Sequence, residues 1–446
     1  MRILYPLLLA ALCCLPAASA AAAEDEGNAG PVATAARLLD HMEAGEYDAA
    51  TTDFSPQMKA ALGVDKLEAV QQQIAATGAQ TGRDEPAVSQ RSGMTIVVVR
   101  IHREQADVDA TIAIDADGKV AGLHYAPVAA PAPEAPPAAD AGYEESDVSV
   151  GDGERALPGT LAMPEGASAD APVPGVVLVH GSGAHDRDET VGPNRPFLDI
   201  ARGLAAQGVA VLRYDKHTQA RPEDFADGNV TIDSETTDDA VLAVEALRKV
   251  PGVDPARVYV LGHSQGAMMA PRIAAKSAHV AGLVLLAAPA RPMLDILVEQ
   301  NIRLAVLDDG KTSDEEAATI ARLKGQVAAV RAGGDVAADA SPMGQPADYW
   351  RSTDAVDPVA EAKAVALPML VLQGAQDFQV VDADWQRWKA GFHDDPKVEF
   401  KLYPALNHLG IVVEGEPGPA QYTLPGHVDP GLIDDVATWI KARQSD

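Results

Sequence analysis

A serine between two glycines follows an apolar run near the middle of the chain. Residues 257–261 form that run, and the motif after it is Gly262-His263-Ser264-Gln265-Gly266. A strand that turns sharply into a helix lifts a serine hydroxyl clear of the sheet edge, and flanking glycines leave room for the turn. The pattern therefore predicts that Ser264 is a nucleophile for acyl transfer. The prediction depends on the strand predicted before the motif, because so short a motif also arises by chance.

A serine nucleophile needs two partners from elsewhere in the chain. An imidazole must take the proton of the hydroxyl, and a carboxylate must fix the tautomer of that imidazole. Asp377 follows the apolar run of residues 368–372, and His408 follows the run of residues 398–402. The chain order serine, acid, histidine is the one expected when each partner follows a later strand of a parallel sheet. We therefore predict that Asp377 orients His408 and that His408 is the general base.

Both partners have rivals nearby in the sequence. Asp382 and Asp384 are alternative acids, and Asp377 could instead cap the helix predicted to begin near Asp382. His393 and His427 are alternative bases. Neither of these histidines directly follows a strand, which favours His408.

Two backbone N–H groups must face the oxygen of a tetrahedral intermediate. Gln265, directly after the candidate nucleophile, is expected to supply one of them. The second is expected from the glycine-containing turn of residues 180–183, after the third strand of the sheet. We favour Ser182 as this donor, with Gly183 as the alternative.

Other polar residues of these motifs have structural interpretations. We expect His180 and His263 to serve packing and turn geometry rather than base catalysis. The stretch of residues 186–190 either lines the pocket or locks its loop through a pair between Arg187 and a carboxylate, and we favour the lock.

The candidate residues need a sheet whose strands end at one edge. After residue 143, short apolar runs alternate with helical stretches, which predicts an α/β fold with a doubly wound, mostly parallel sheet. Ligands bind such sheets at the C-terminal ends of the strands. The predicted strands are an opening hairpin at 148–150 and 160–163, then 175–179, 209–213, 258–261, 280–286, 368–372 and 398–402. The predicted helices are 196–207, 236–250, 266–276, 382–392 and 432–442.

Residues 289–366 interrupt this alternation. They show helical patterns at 292–307 and 313–331, followed by a predicted loop that holds Tyr349 and Trp350. We interpret the segment as a helical cap that shapes the acyl pocket. A bundle remote from the site is the alternative.

The chain divides ahead of this sheet. Residues 128–142 are rich in proline and alanine and predict an extended linker between residues 30–127 and residues 143–446. The first of these segments predicts a small α+β domain without a catalytic constellation. Its expected helices span 32–42 and 64–76, and its expected strands span 94–102, 106–114 and 119–125.

Residues 1–23 have the pattern of a cleavable secretory signal. Arg2 precedes an apolar stretch from Leu4 to Leu15, and small residues follow. We expect the mature protein in the periplasm or outside the cell. Cys13 and Cys14, the two cysteines of the chain, lie within the signal, so a disulfide framework is not expected.

Composition narrows the choice of partners. The chain has 65 acidic against 35 basic residues and a net charge of −30, which disfavours nucleic acid and anionic membranes as partners. A phosphate-binding GxxxxGK motif and paired histidines at metal spacing are both missing from the sequence. We expect no cofactor, no metal and no stable membrane insertion.

Four motifs together carry a family resemblance, namely residues 180–183, 186–190, 213–216 and 262–266. The chain from about residue 143 to 446 resembles a bacterial alpha/beta-hydrolase esterase family, close to dienelactone hydrolases and the catalytic domains of prolyl oligopeptidases. Residues 30–127 resemble a small nuclear-transport-factor-like domain of unknown function found in some exported proteins. The resemblance implies hydrolysis of small carboxylic esters with short or medium acyl chains.

Three functions remain open from the sequence. The first is ester hydrolysis through an acyl-enzyme on Ser264, with His408 acting first as base and then as acid. The second keeps the same residues and acts on peptides or on a cell-wall acyl group, although the chain lacks a propeller domain of the oligopeptidase kind. The third is a ligand-binding protein on a degenerate hydrolase scaffold.

Overall fold

The computed structural model describes residues 29–75, 77–91, 94–104, 107–127, 141–225, 228–307, 310–337 and 340–443. The described residues form two compact units, one up to residue 127 and the other from residue 141 onward. The predicted signal, residues 1–23, and residues 128–140 of the predicted linker lie outside the described ranges.

The N-terminal unit packs helices against an antiparallel sheet, in an α+β arrangement. Its helices are α1 (Ala29–Ala44), α2 (Tyr47–Ala50), α3 (Pro56–Ala61) and α4 (Val64–Ala75). Its strands are β1 (Gln80–Arg83), β2 (Ala87–Arg91), β3 (Met94–Arg103), β4 (Val108–Ile114) and β5 (Val120–Pro127). Strand β3 pairs with β1, β2 and β4, and β4 pairs with β5. Strands β1 and β2 are absent from the sequence prediction, because they are short and lack an apolar alternation.

Alternate residues of the strands point into the core of this unit. Every second residue of β4 is buried, and these side chains face apolar residues of α1 and α4. Leu38 and Met42 from α1 and Leu67 from α4 belong to this cluster. The apolar faces that the sequence predicts for the helices and the strands therefore pack against each other in one core.

An eight-stranded sheet forms the centre of the second unit. Its strands are β6 (Tyr143–Val150), β7 (Leu157–Pro164), β8 (Val173–Val179), β9 (Ala210–Tyr214), β10 (Val253–His263), β11 (Gly282–Leu286), β12 (Met369–Gly374) and β13 (Val398–Tyr403). Their order across the sheet is β13-β12-β11-β10-β8-β9-β7-β6. Strand β7 is antiparallel to β6 and β9, and every other neighbouring pair is parallel. The prediction of a doubly wound, mostly parallel sheet with an opening hairpin is confirmed.

Helices cover both faces of this sheet. The helices of this unit are α5 (Pro196–Ala205), α6 (His217–Ala220), α7 (Asp238–Leu247), α8 (Gln265–Lys276), α9 (Met293–Leu304), α10 (Asp314–Ala332), α11 (Ala347–Asp354), α12 (Pro358–Val365), α13 (Asp382–Phe392) and α14 (Pro430–Lys441). Side chains of β8 alternate between the faces: Val176 packs in the cluster that includes α5 and α14, and Val177 packs in the cluster that includes α7, α8 and α13. Burial on both faces explains why the strands are continuous apolar runs.

The insertion between β11 and β12 consists of helices α9 to α12. The predicted loop at Tyr349 and Trp350 was wrong, since both residues lie in α11 and are buried. This helix has only eight residues and a mostly polar sequence, so it is too short to be stable alone and depends on tertiary packing. The Nε1 group of Trp350, for example, donates to the carbonyl of Pro342.

None of the helices that the structure describes is both long enough and apolar enough to cross a membrane.

Candidate active site

Ser264 lies at the turn between β10 and α8. Its φ of 52° and ψ of −119° are strained for a residue with a side chain. A Cβ on Gly262 would lie 2.3 Å from the carbonyl oxygen of Gly266, and a Cβ on Gly266 would lie 2.1 Å from that of Val179. The two glycines are therefore required by close backbone contacts on each side of the serine.

Asp377 and His408 follow the neighbouring strands β12 and β13, and they contact each other. Oδ2 of Asp377 lies 2.8 Å from Nδ1 of His408, and both side chains are buried. The carboxylate also accepts the side-chain amide of Gln373 and the backbone N–H groups of Gln379 and Val380. Because an ionised carboxylate only accepts hydrogen bonds, this contact assigns the proton of a neutral His408 ring to Nδ1 and leaves Nε2 as an acceptor.

One pocket is bordered by three of the five predicted site residues. It holds about 370 Å³ of empty space when its open mouth is included. Ser264, His408 and Ser182 all border it, and Asp377 contacts this group through His408. The lining is Gly181, Ser182, His185, Glu189, Val191, His263, Ser264, Gln379, His408, Leu409 and Tyr422.

Two backbone N–H groups are available near the serine hydroxyl. Gln265 is the first residue of α8, so its N–H has no acceptor within the helix. The N–H of Ser182 has no backbone acceptor in the part of the chain that the structure describes. Ser182 borders the pocket whereas Gly183, the alternative, lies outside the lining.

The rival acids and bases are placed elsewhere. Asp384 is fully buried in an ion pair with Arg291, and Asp382 is exposed. His393 is 70% exposed and His427 is 83% exposed. None of these four residues belongs to the pocket lining.

Two histidines at the turn after β8, His180 and His185, are buried and neutral. Burial lowers the pKa of both His180 and His185, that of His180 to about 3. The ring of His180 packs against Phe197 and Tyr214, and its Nε2 lies 3.0 Å from the carbonyl oxygen of Asp186. His180 therefore has the packing role that the sequence predicted.

His263 has a larger role than the predicted packing. Its Nδ1 lies 3.0 Å from Oε2 of Glu189, and its Nε2 lies 2.9 Å from the carbonyl oxygen of His408. Burial disfavours both charges, but attraction within the pair outweighs it, which raises the pKa of His263 and lowers that of Glu189 to about 2. Oε1 of Glu189 accepts the N–H of Gly181 at 2.6 Å. The pair thus connects the turn after β8 with the backbone at His408.

Sequence reasoning also missed Lys216, which follows β9. Its side chain is 2% exposed and contacts the carbonyl of Gly181 and the carboxylate of Glu235. In the sequence, Glu189 and Lys216 stand out only as members of the stretches 186–190 and 213–216. Nothing local to either stretch indicates that its charges are buried.

Arg187 locks the loop that carries Glu189. Its guanidinium donates two hydrogen bonds of 2.9 Å to the carboxylate of Asp215, and it also donates to the carbonyl of Gly159 and the hydroxyl of Thr160. Such a two-point contact constrains direction as well as distance. The favoured structural role of Arg187 agrees with these contacts.

The helical insertion reaches the site through Tyr349. Nε2 of Gln265 donates to the Tyr349 hydroxyl at 2.9 Å, and both residues are buried. Because Gln265 directly follows Ser264, the insertion contacts the candidate site. This contact argues against the alternative of a bundle remote from the site.

Comparisons with known proteins agree with this architecture. Residues 170–415 match the family model described as serine aminopeptidase, S33, and residues 35–123 match a family of unknown function, DUF3887. Esterase EstD of Thermotoga maritima is 33% identical over 407 residues, which cover 90% of this chain and 93% of that protein.

Two solved esterases are also similar to the chain. An esterase of Pyrococcus furiosus has a TM-score of 0.43 at 16% identity and covers 68% of this chain and 92% of its own. Est1E from Butyrivibrio proteoclasticus has a TM-score of 0.41 at 16% identity and covers 67% of this chain and 99% of its own. With more than half of its length matched by the family model, the chain belongs to the serine aminopeptidase S33 family of alpha/beta hydrolases.

Proposed function

We propose that the protein is a serine hydrolase that cleaves carboxylic esters with short or medium acyl chains. The observation that carries the proposal is the pocket shared by Ser264 and His408, with Asp377 bonded to the far nitrogen of the same imidazole. The relation to esterase EstD supports an ester rather than another acyl compound as the substrate.

In the first half of the reaction, the Ser264 oxygen attacks the ester carbonyl while Nε2 of His408 takes the hydroxyl proton. Asp377 holds Nδ1–H and stabilises the imidazolium that forms. The N–H groups of Ser182 and Gln265 donate to the oxygen anion of the tetrahedral intermediate. The intermediate collapses, His408 returns the proton to the leaving oxygen, and the alcohol departs from an acyl-enzyme.

In the second half, water replaces the alcohol. His408 takes one proton from water as the water oxygen attacks the acyl carbon, and a second tetrahedral intermediate forms at the same donors. Its collapse breaks the bond to Ser264, which regains its proton from His408. The products are one carboxylic acid and one alcohol, so the residues return to their starting state.

Apolar side chains of the pocket suit an acyl group. Val191, Leu409 and Tyr422 line it, and they belong to a buried cluster with Phe378 and Ile411. Leu304 from α9 packs against this cluster. The helical insertion therefore packs against the residues that form the apolar side of the pocket, which supports a role in selecting acyl length.

The proposal is tested with nitrophenyl esters of increasing acyl length. We expect turnover to be highest for short or medium chains and to be lost in Ser264→Ala. A fluorophosphonate should label the unaltered protein and leave Ser264→Ala unlabelled. Labelling that persists in the variant would refute the assignment of the nucleophile.

Peptide cleavage is the second candidate, since the matched family is described as serine aminopeptidases. Aminoacyl nitroanilides tested beside the esters separate the two functions. Faster turnover of the nitroanilides, with the same loss in Ser264→Ala, would change the substrate class and leave the residue roles intact.

We further propose that residues 1–23 direct export and are removed. The apolar stretch of residues 4–15 behind Arg2 supports this. Terminal sequencing of the protein from its native cell fractions provides the test. A periplasmic or secreted form that begins near residue 24 is expected, and a protein retained in the cytoplasm with residues 1–23 intact would contradict the proposal.

A further inference from the structure

The backbone on both sides of the Gly181 Cα is restrained by two buried charged side chains. Glu189 accepts the N–H of Gly181 at 2.6 Å, and Nζ of Lys216 donates to the carbonyl oxygen of Gly181 at 2.8 Å. Glu189 is 1% exposed and Lys216 is 2% exposed. This short stretch of backbone is therefore held on both its donor and its acceptor side.

The contact with Lys216 determines the direction of the Ser182 N–H. A trans peptide is planar, so its C=O and N–H point in opposite directions. The chain has no cis peptide bond among the described residues. When the ammonium of Lys216 holds the carbonyl of Gly181, the N–H of Ser182 points away from Lys216, and Ser182 lies at the pocket.

The same ammonium reaches the residue that carries the other proposed donor. Nζ of Lys216 lies 3.5 Å from Oε1 of Gln265, at the long end of hydrogen bonding, and Gln265 directly follows Ser264. Nζ also lies 3.2 Å from Oε1 of Glu235. An ammonium has three N–H groups, which matches these three oxygen partners. One buried cation therefore contacts the carbonyl that shares a peptide group with the Ser182 N–H and also the side chain of Gln265.

Glu235 compensates the buried charge. It lies in a π-helical turn, Asp233–Thr237, just before α7, and such turns are frequent at functional sites. A buried ion pair is weak evidence for stability, because removing two charges from water costs about as much as their attraction returns. Stability alone therefore does not explain why the Lys216–Glu235 pair is buried next to the proposed oxyanion donors.

We propose that Lys216 is a positioning residue for the oxyanion donors, with Glu235 as its counter-ion. It orients the Gly181–Ser182 peptide and polarises it, since a cation at the carbonyl strengthens the N–H at the other end as a donor. The inference rests on the proposed function, in which an oxygen anion forms in the pocket. Because that anion exists only in the tetrahedral states, the contribution of Lys216 falls on kcat and not on KM.

The test compares the full-length protein with Lys216→Met/Glu235→Gln. The double change removes both buried charges together and keeps the side chains close in size, which protects the fold from an uncompensated charge. Active sites are counted with a fluorophosphonate, and kcat is expressed per labelled site. An aryl trifluoromethyl ketone, which forms a tetrahedral adduct with a serine, reports on the anion site directly.

We expect kcat to fall about 10- to 100-fold while KM stays within about twofold. The inhibition constant of the ketone should rise by the same factor as kcat/KM falls. Lys401→Met is the control, because Lys401 is exposed, pairs with Asp435 of helix α14 and lies outside the pocket lining, and its kcat should be unchanged.

Several results would overturn the inference. These are an unchanged kcat with unchanged ketone affinity, a rise in KM at unchanged kcat, or a loss of folded protein in which each labelled site turns over at the original rate. Failure of the proposed function looks different, because the unaltered protein itself would then neither hydrolyse esters nor be labelled at Ser264.

Discussion

Oδ2 of Asp377 lies 2.8 Å from Nδ1 of His408, in a contact closed to solvent. The other oxygen of the carboxylate accepts two backbone N–H groups of its own loop. The carboxylate can therefore hardly rotate, and the plane and tautomer of the His408 ring follow from it. This arrangement underlies the roles proposed for both residues.

Asp377→Asn tests this arrangement. We expect kcat to fall by about 10,000-fold with little change in KM, because an amide can donate to Nδ1 and stabilise the wrong tautomer. Steady-state kinetics with a nitrophenyl ester measure the effect. Asp382→Asn, at an exposed acid of the same region, is the control and should keep full activity. A loss of less than about tenfold in Asp377→Asn would mean that another acid orients the base.

Glu189→Gln tests the buried pair with His263 through its pH dependence. The folded pKa of His263 lies above its ordinary value near 6.5, so its contribution to stability is complete below that pH and is lost as the pH rises through the raised pKa. The folded pKa of Glu189 is about 2, so its contribution is present above its ordinary value of about 4.3 and is lost as the pH falls toward 2. The pair therefore stabilises most between these ordinary values.

We expect Glu189→Gln to lower the free energy of unfolding by about 3–5 kcal/mol near pH 5.5 and by less near pH 9. Urea unfolding of both proteins at the two pH values gives the comparison. Glu165→Gln at an exposed position should change the free energy by less than about 0.5 kcal/mol at either pH. A cost that is the same at both pH values would show that His263 is not charged in the folded protein.

Gly266→Ala tests the close contact behind the nucleophile turn. The added Cβ would lie 2.1 Å from a backbone oxygen of Val179, which cannot move without shifting β8. We expect a loss of about 3 kcal/mol or more in stability, or no folded protein. Gly325→Ala is the matched control, since Gly325 lies in helix α10 with open space around it, and it should stabilise by up to about 1 kcal/mol. Thermal unfolding separates the two, and equal melting temperatures would contradict the close approach of Gly266 to β8.

Tyr349→Phe tests the contact between the helical insertion and the site. Removal of the hydroxyl leaves the buried amide of Gln265 without this acceptor, at an expected cost of about 1–3 kcal/mol in stability. We expect kcat/KM to fall by less than about tenfold, because the contact of Lys216 with the same side chain remains. Tyr47→Phe in the N-terminal unit should leave kcat/KM unchanged. A Tyr349→Phe protein with unaltered stability would argue against the buried hydrogen bond.

The sequence by itself determined the sheet and the location of the candidate site. Apolar runs that are buried on both faces give continuous strands, and parallel strands end at one edge, so Ser264 and His408 could be assigned to that edge from the order of motifs alone. The turn at Ser264 could also be predicted from the adjacent residues, because the close backbone approaches at Gly262 and Gly266 admit only glycine. The exceptions are short elements that depend on packing from residues far along the chain, namely β1, β2, α2, α3, α6, α11 and α12.

Only the tertiary structure decided which charges are buried and what they contact. Glu189 and Lys216 have ordinary surface-type side chains in the sequence, and their partners His263 and Glu235 belong to other segments. Burial and pairing depend on how loops from different strands pack at the sheet edge, which no local pattern encodes. Electrostatic attraction grows as water is excluded, so these distant pairs acquire their strength only in the folded protein.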